Sequence, residues 1–276
     1  MAPFIAANTS ADTPASNLAA AGLAPTQTLF SKVPQITLSF WVIKILCTTV
    51  GETGADFLVF DAGLGLRVTL VGMATLLLLA LAVQLHTRRC TPWIYWLTVV
   101  LVSIVGTQIT DLLIDGLGVP LTVSTPAMAV LLAALFALWY RVEKTLAIHS
   151  IFTRRRELFY WAAIVGTFAL GTAAGDLASE TLGLGYAGTA LGIGALIALT
   201  CAAWRNGANA VLTFWVGYIL TRPFGAALGD WLTQAKSAGG LGMGTVWTSA
   251  LFLSVIVLLV GFAQWSMAPQ PTSQLH

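Results

Sequence analysis

FWVIKILCTTVGETGAD, residues 40–56, decides the reading of this chain because its pattern is written four times. The copies open at Phe40-Trp41, Tyr95-Trp96, Tyr160-Trp161 and Phe214-Trp215. Each runs aromatic residue, Trp, nine residues, Gly, four residues, Asp, with no gap. The glycines are Gly51, Gly106, Gly171 and Gly225, and the acids are Asp56, Asp111, Asp176 and Asp230. Every copy lies in an apolar segment long enough to cross a bilayer, so four carboxylates recur at one depth of one repeated element. A carboxylate inside a membrane span is costly and marks a functional position by default.

Around the motif, apolar segments come in pairs: 36–60 with 67–85, 93–114 with 121–140, 159–178 with 186–204, and 211–232 with 245–263. A helix needs about 20 such residues to span, and it satisfies its own backbone polar groups in lipid. Gly63-Leu64-Gly65, Gly116-Leu117-Gly118, Gly183-Leu184-Gly185 and Gly240-Leu241-Gly242 join the pairs, where glycine permits a sharp reversal. Motif, turn and second span recur in register, the signature of an internal repeat. The expected fold is an all-α integral membrane protein, with eight transmembrane helices arranged as four parallel-oriented helical-hairpin repeats. The repeats occupy about 32–86, 91–141, 157–205 and 210–264 of a membrane domain at 32–266. Residues 1–31, rich in Ala, Pro, Thr and Ser, read as a disordered N-terminal tail, and 267–276 as a short C-terminal tail. The N-terminal segment lacks the basic start and apolar core of a signal peptide.

Composition agrees. The chain is 57% hydrophobic and only 9% charged, with a mean hydropathy of +0.85, whereas soluble domains carry about 25% charged residues. A net charge of +2 with no basic arm excludes nucleic acid as a partner and leaves the lipid bilayer. Cys47, Cys90 and Cys201 are too widely separated for a metal pair, and His86, His149 and His276 have no ligand spacing. There is no nucleotide loop, nucleophile elbow or metalloprotease pair, so neither an enzyme nor a cofactor is expected. The side holding the links between pairs carries Lys32, Arg88, Arg89, Arg141, Lys144, Arg154, Arg155, Arg156 and Arg205, while the turn side has Arg67 and Lys236. By the positive-inside rule both termini are then cytoplasmic.

Within each first helix, Glu52, Thr107, Thr172 and Ala226 precede the motif Asp by four residues and share its face. One turn beyond the Asp stand Phe60, Asp115, Glu180 and Gln234. Glu52 and Asp56 form an i,i+4 carboxylate pair, able to hold a hard cation or to share protons; they are the ligands to expect if a metal binds. Thr107 and Thr172 line the same stripe. Two cations also enter first helices. Lys44, less than a turn beyond Trp41, reads as snorkelling to the interface or, with Arg222, as a counter-charge to the acids, and Arg222, beside Pro223, needs an acid of the first-helix set as its partner. Trp41, Trp96, Trp161 and Trp215 fit interfacial belts. An architectural alternative stands beside the chemical one: small residues around the acids let helices approach closely, and each Asp could cap a neighbouring helix or bond the hairpin turn.

KVPQITLSFWVIKILCTTVGETGAD resembles a bacterial membrane-protein repeat of unknown function, found as about four tandem copies of two spans with a characteristic tryptophan. The resemblance covers roughly residues 32–263, and the fourth copy departs most, through Arg222 and Ala226. It implies a multi-pass protein of the bacterial inner membrane and no particular activity. Three functions remain open from the residues: a secondary transporter or permease for a small cation, with proton coupling through Glu52, Asp56, Asp111, Asp176 and Asp230; a non-transporting scaffold, sensor or assembly factor; and a cation channel with an acidic ring. Arg222 opposes the channel, because a fixed positive charge repels cations at a narrow axis. The nine-to-two Lys/Arg asymmetry predicts that reporter fusions at Ser150 and at the C-terminus read cytoplasmic, while an insertion at Gly240 reads external. A periplasmic C-terminus would overturn that assignment.

Overall fold

The computed structural model describes residues 32–87 and 90–266, so both expected tails, with Arg88 and Arg89, lie outside the described residues. Among the described residues there are eight long helices and no strand. They are α1 (Leu38–Asp56), α2 (Leu66–His86), α3 (Pro92–Asp111), α4 (Leu121–Glu143), α5 (Arg154–Asp176), α6 (Gly185–Arg205), α7 (Ala210–Thr233) and α8 (Thr245–Ser266). Several start on a side-chain cap or a proline: Thr37 Oγ1 accepts from the Phe40 amide, Thr153 Oγ1 from that of Arg156, Asn209 Oδ1 from those of Val211 and Leu212, and Pro92 opens α3. Gly65 at φ 77° and Gly183 at φ 70° take the left-handed conformation that reverses the chain between helices.

Seven helices are long and apolar enough to cross a membrane, and α1 is the exception. It carries Lys44, Glu52 and Asp56 in 19 residues, so its lipid compatibility depends on protein around it.

The first helices of the repeats form a closed ring, α1 beside α3, α3 beside α5, α5 beside α7 and α7 back beside α1. Second helices lie outside, where α2, α4, α6 and α8 expose Leu78, Leu131, Leu191 and Leu258 in the manner of a lipid-facing surface. The pairs expected to close as tight hairpins do something else. Each second helix packs mainly on the first helix of the next repeat, α2 on α3, α4 on α5 and α6 on α7, and α8 completes the circle on α1. Thr53 and Ser249 hydroxyls, 2.7 Å apart, join α1 to α8.

Two sequence features build the ring. The motif glycines face the residue seven beyond the Trp of the next repeat: Gly51 on Ser103, Gly106 on Phe168, Gly171 on Arg222 and Gly225 on Thr48. A β-carbon at any of them would overlap those side chains, and that at Gly106 would sit 2.7 Å from the Phe168 β-carbon. Near the link end, aromatics close a collar in the same order. Phe40 meets Trp96 at 5.3 Å between ring centroids, Tyr95 meets Trp161 at 5.6 Å, Tyr160 meets Trp215 at 6.3 Å and Phe214 meets Trp41 at 5.6 Å. The expectation of interfacial belts is thus corrected for the motif tryptophans: Trp96, Trp161 and Trp215 are buried, and Trp41 is half-buried against Phe214. Ring-to-ring packing, not the lipid headgroup, is what selects them.

Lys32, counted above as a topology charge, is buried too. Its Nζ lies 2.5 Å from the Glu157 carboxylate at the start of α5 and donates to the Leu85 carbonyl of α2. Gln84 donates to the same carboxylate, so one polar knot ties the entry of α1 to repeats one and three.

The glycine contacts generate a test. Gly171→Val and Gly225→Val place a branched side chain against a neighbouring helix and should lower stability by about 2–4 kcal/mol, or prevent recovery of monodisperse protein. Gly72→Val, where open space surrounds the α-carbon, should leave thermal unfolding in detergent unchanged.

Candidate functional site

Because the four first helices stand in register, the axis they enclose can be read level by level from the link end. Three residues beyond the Trp come Lys44, Val99, Ile164 and Tyr218, and seven beyond come Thr48, Ser103, Phe168 and Arg222; all are fully buried. Eleven beyond come Glu52, Thr107, Thr172 and Ala226, buried as well. The motif acids follow at the turn end. Only Asp230 is fully buried, and Asp56, Asp111 and Asp176 are half-buried.

Arg222 crosses from α7 to bind the level above it. One terminal nitrogen donates to Glu52 Oε2 at 2.6 Å, to Thr172 Oγ1 at 2.6 Å and to Thr107 Oγ1. The other donates to the Thr48 carbonyl at 3.2 Å. Glu52 also accepts from Thr107 at 3.3 Å. The three polar members of the Glu52 level therefore converge on one guanidinium, and the fourth member, Ala226, belongs to the helix that supplies it. The expected pairing of Arg222 with an acid of the first-helix set is present, and that acid is Glu52. A planar guanidinium suits this role, since it offers several donors in fixed directions. Pro223, next in the chain, removes a backbone donor from the middle of α7 and loosens the helix where the arginine is held.

Lys44 behaves otherwise than expected. It neither snorkels nor meets a carboxylate. Its Nζ is fully buried, without a hydrogen-bond partner among the described residues, 4.0 Å from the Phe168 ring centroid and 4.2 Å from that of Tyr218. As a counter-charge to the acids it stands two levels from Glu52, with the level of Arg222 between them.

The motif acids sit around the axis within electrostatic reach of one another, Asp56 with Asp111, Asp111 with Asp176, Asp176 with Asp230 and Asp230 with Asp56. Glu52 and Arg222 act on all four. Asp61, Asp115 and Glu180 extend the negative field outward. None of the four motif side chains caps a helix or bonds a turn among the described residues. Of the architectural alternative, the close helix approach at the small residues is present, and the capping or turn bonds by the Asp side chains are not found among the described residues. Three repeats widen into a single π turn directly after the Asp, at Phe57–Asp61, Leu112–Gly116 and Leu177–Thr181. Such turns interrupt helices most often at functional positions.

No group of three or more His, Cys, Asp or Glu among the described residues is placed to hold a metal ion. Glu52 and Asp56 share a helix face, and Glu52 is engaged by Arg222.

Sequence reasoning placed the acids, Arg222, Thr107 and Thr172, and missed Phe168 and Tyr218. A signal for them existed in α1, whose Lys44, Thr48, Glu52 and Asp56 recur every four residues on one face. A lysine on the same stripe as the axial acids was bound to point at the axis.

Removing one partner of a buried ion pair leaves a charge without compensation. Arg222→Met should cost about 3–5 kcal/mol in thermal unfolding, and adding Glu52→Gln to it should restore most of the loss. If the double variant is no more stable than the single one, the pair does not organise the axis.

The chain matches the DUF347 repeat, described as a Repeat of Unknown Function, over residues 39–90, 94–145, 159–205 and 213–268, and it belongs to that family. Neither a curated protein nor a solved structure matches it.

Proposed function

From membership of the DUF347 repeat family and from the geometry of the axis, we propose that this chain is a multi-pass protein of the bacterial inner membrane. It would cross the bilayer eight times with both termini cytoplasmic, and act as a secondary transporter or permease for a small cation, coupled to protons, and not as an enzyme. One observation carries the reading. Four carboxylates gather at the turn end with no hydrogen bond among the described residues, directly beyond a level where a further carboxylate is held by an arginine. Acids of this kind are expensive inside a membrane and serve a cation or a proton better than they serve the fold.

The axis beyond them supports transport over free conduction. Arg222 and Lys44 occupy successive levels and the aromatic collar closes the link end, so no continuous polar column favours a channel. A cation arriving from the turn end competes with Arg222 for Glu52. The energy it gains there has to exceed what Arg222 loses, which couples binding to movement of α7 at Pro223.

Proteoliposomes with an imposed proton gradient, a pH-sensitive dye inside and a panel of monovalent, divalent and organic cations outside test this. The wild-type protein should move protons against at least one cation. Asp111→Asn and Asp176→Asn should slow uptake about tenfold, the loss of one contact of about 1.4 kcal/mol, with unchanged thermal unfolding because these carboxylates make no hydrogen bond. Glu52→Gln should abolish uptake. A wild-type protein that moves neither protons nor any cation of the panel would leave the scaffold reading in its place.

A further inference from the structure

Two positions on the axis suit a positively charged group, and a basic side chain of the chain itself fills each. The first is Glu52 with Thr107 and Thr172, filled by the Arg222 guanidinium. The second lies deeper, between α1, α5 and α7. There the Lys44 amino group stands over the faces of Phe168 and Tyr218, at 4.0 and 4.2 Å from the ring centroids. Arg222 Cζ lies 5.8 Å from the Phe168 centroid, so one ring is shared by both positions. Among the described residues no oxygen accepts from Lys44 Nζ, and the side chain has no exposed surface.

This second position differs in chemistry from a metal site. Hard metal ions require several oxygen ligands at about 2.0–2.6 Å, and none is offered here. Ring faces attract a cation through their quadrupole, and they suit an ammonium that carries alkyl groups and is weakly hydrated. We infer that Phe168 and Tyr218 form a seat for a small organic ammonium ion, occupied in the resting protein by the tethered amine of Lys44. The cation of the transport reading is then an alkylammonium-type ion, which meets the motif acids, displaces Arg222 from Glu52 and replaces Lys44 between the rings. Phe168 is the only aromatic at its level, and Tyr218 the only one at the level of Lys44, so the seat is specific to these two repeats.

The inference takes its substrate from the transport reading, but its test reads binding alone. Lys44→Ala removes three methylene groups and the amine, and n-propylammonium is that fragment. Thermal unfolding of full-length Lys44→Ala in detergent should rise by about 3–6 °C at saturating n-propylammonium chloride. Equal concentrations of sodium chloride and of n-propanol should give no rise, which separates the ion from salt and from simple filling of space. Wild-type protein, whose seat is filled, and the double variant Lys44→Ala with Phe168→Leu should not respond. Recovery of folded Lys44→Ala only when n-propylammonium is present during purification would support the seat equally. An absent response, one matched by n-propanol, one of equal size in wild type or the double variant, or a Lys44→Ala protein that unfolds with and without the ion would overturn it. Binding by Lys44→Ala with no transport by wild type would instead sink the transport reading and leave the seat standing.

Discussion

The arrangement rests on a guanidinium placed on the axis of a helical ring, where neither water nor lipid can solvate it. A charge there is tolerable only if partners converge from several sides, and Arg222 draws them from the other three first helices: Glu52 and the Thr48 carbonyl from α1, Thr107 from α3 and Thr172 from α5. That demand fixes the register of the ring, because sliding any helix by a turn would withdraw its oxygen. The motif glycines make the demand satisfiable. Gly171 lies against the stem of Arg222 itself, and the other three hold the remaining helices at the same close spacing.

Much of this was legible in the residues. Four copies of one motif announce four equivalent helices, the motif acids and glycines in those helices predict that they face inward, and a lone buried arginine predicts an acidic partner. What escaped has a common physical cause. A tryptophan near the end of an apolar span reads as an interfacial residue, and only the angle between neighbouring helices decides whether its ring meets lipid or the aromatic residue of the previous repeat. Lys44 was misread for the same reason: snorkelling is open to a lysine on the lipid side of a helix and closed to one on the axial side. The exchange of second helices between repeats was equally out of reach. Nearly uniform apolar helices such as α2 carry no face to say which neighbour they prefer.

The fourth repeat shows how a near-symmetric ring becomes a directional one. It keeps the aromatic, the Trp, the Gly and the Asp, yet it replaces the polar residue at the Glu52 level by Ala226 and supplies Arg222 one turn earlier. It also lacks the π turn that follows the Asp in the other three, ending instead at Thr233 before a short 3₁₀ turn at Lys236–Ala238. Three repeats thus provide acceptors and one provides the donor. Symmetry sets the shape of the axis, and its breaking sets the charge along it.

Closing the circle between α8 and α1 has a consequence for biogenesis. Among the eight helices α1 alone lacks a stretch apolar enough to span, and the partners of its Glu52 and Thr53, Arg222 and Ser249, stand 170 and 196 residues later in the chain. At ordinary elongation rates Arg222 follows Glu52 by about 10–30 s. Throughout that interval α1 carries Lys44, Glu52 and Asp56 with none of their final neighbours from α7 and α8. Among the described residues the ring is therefore closed by its later helices, α7 and α8, and not built outward from α1.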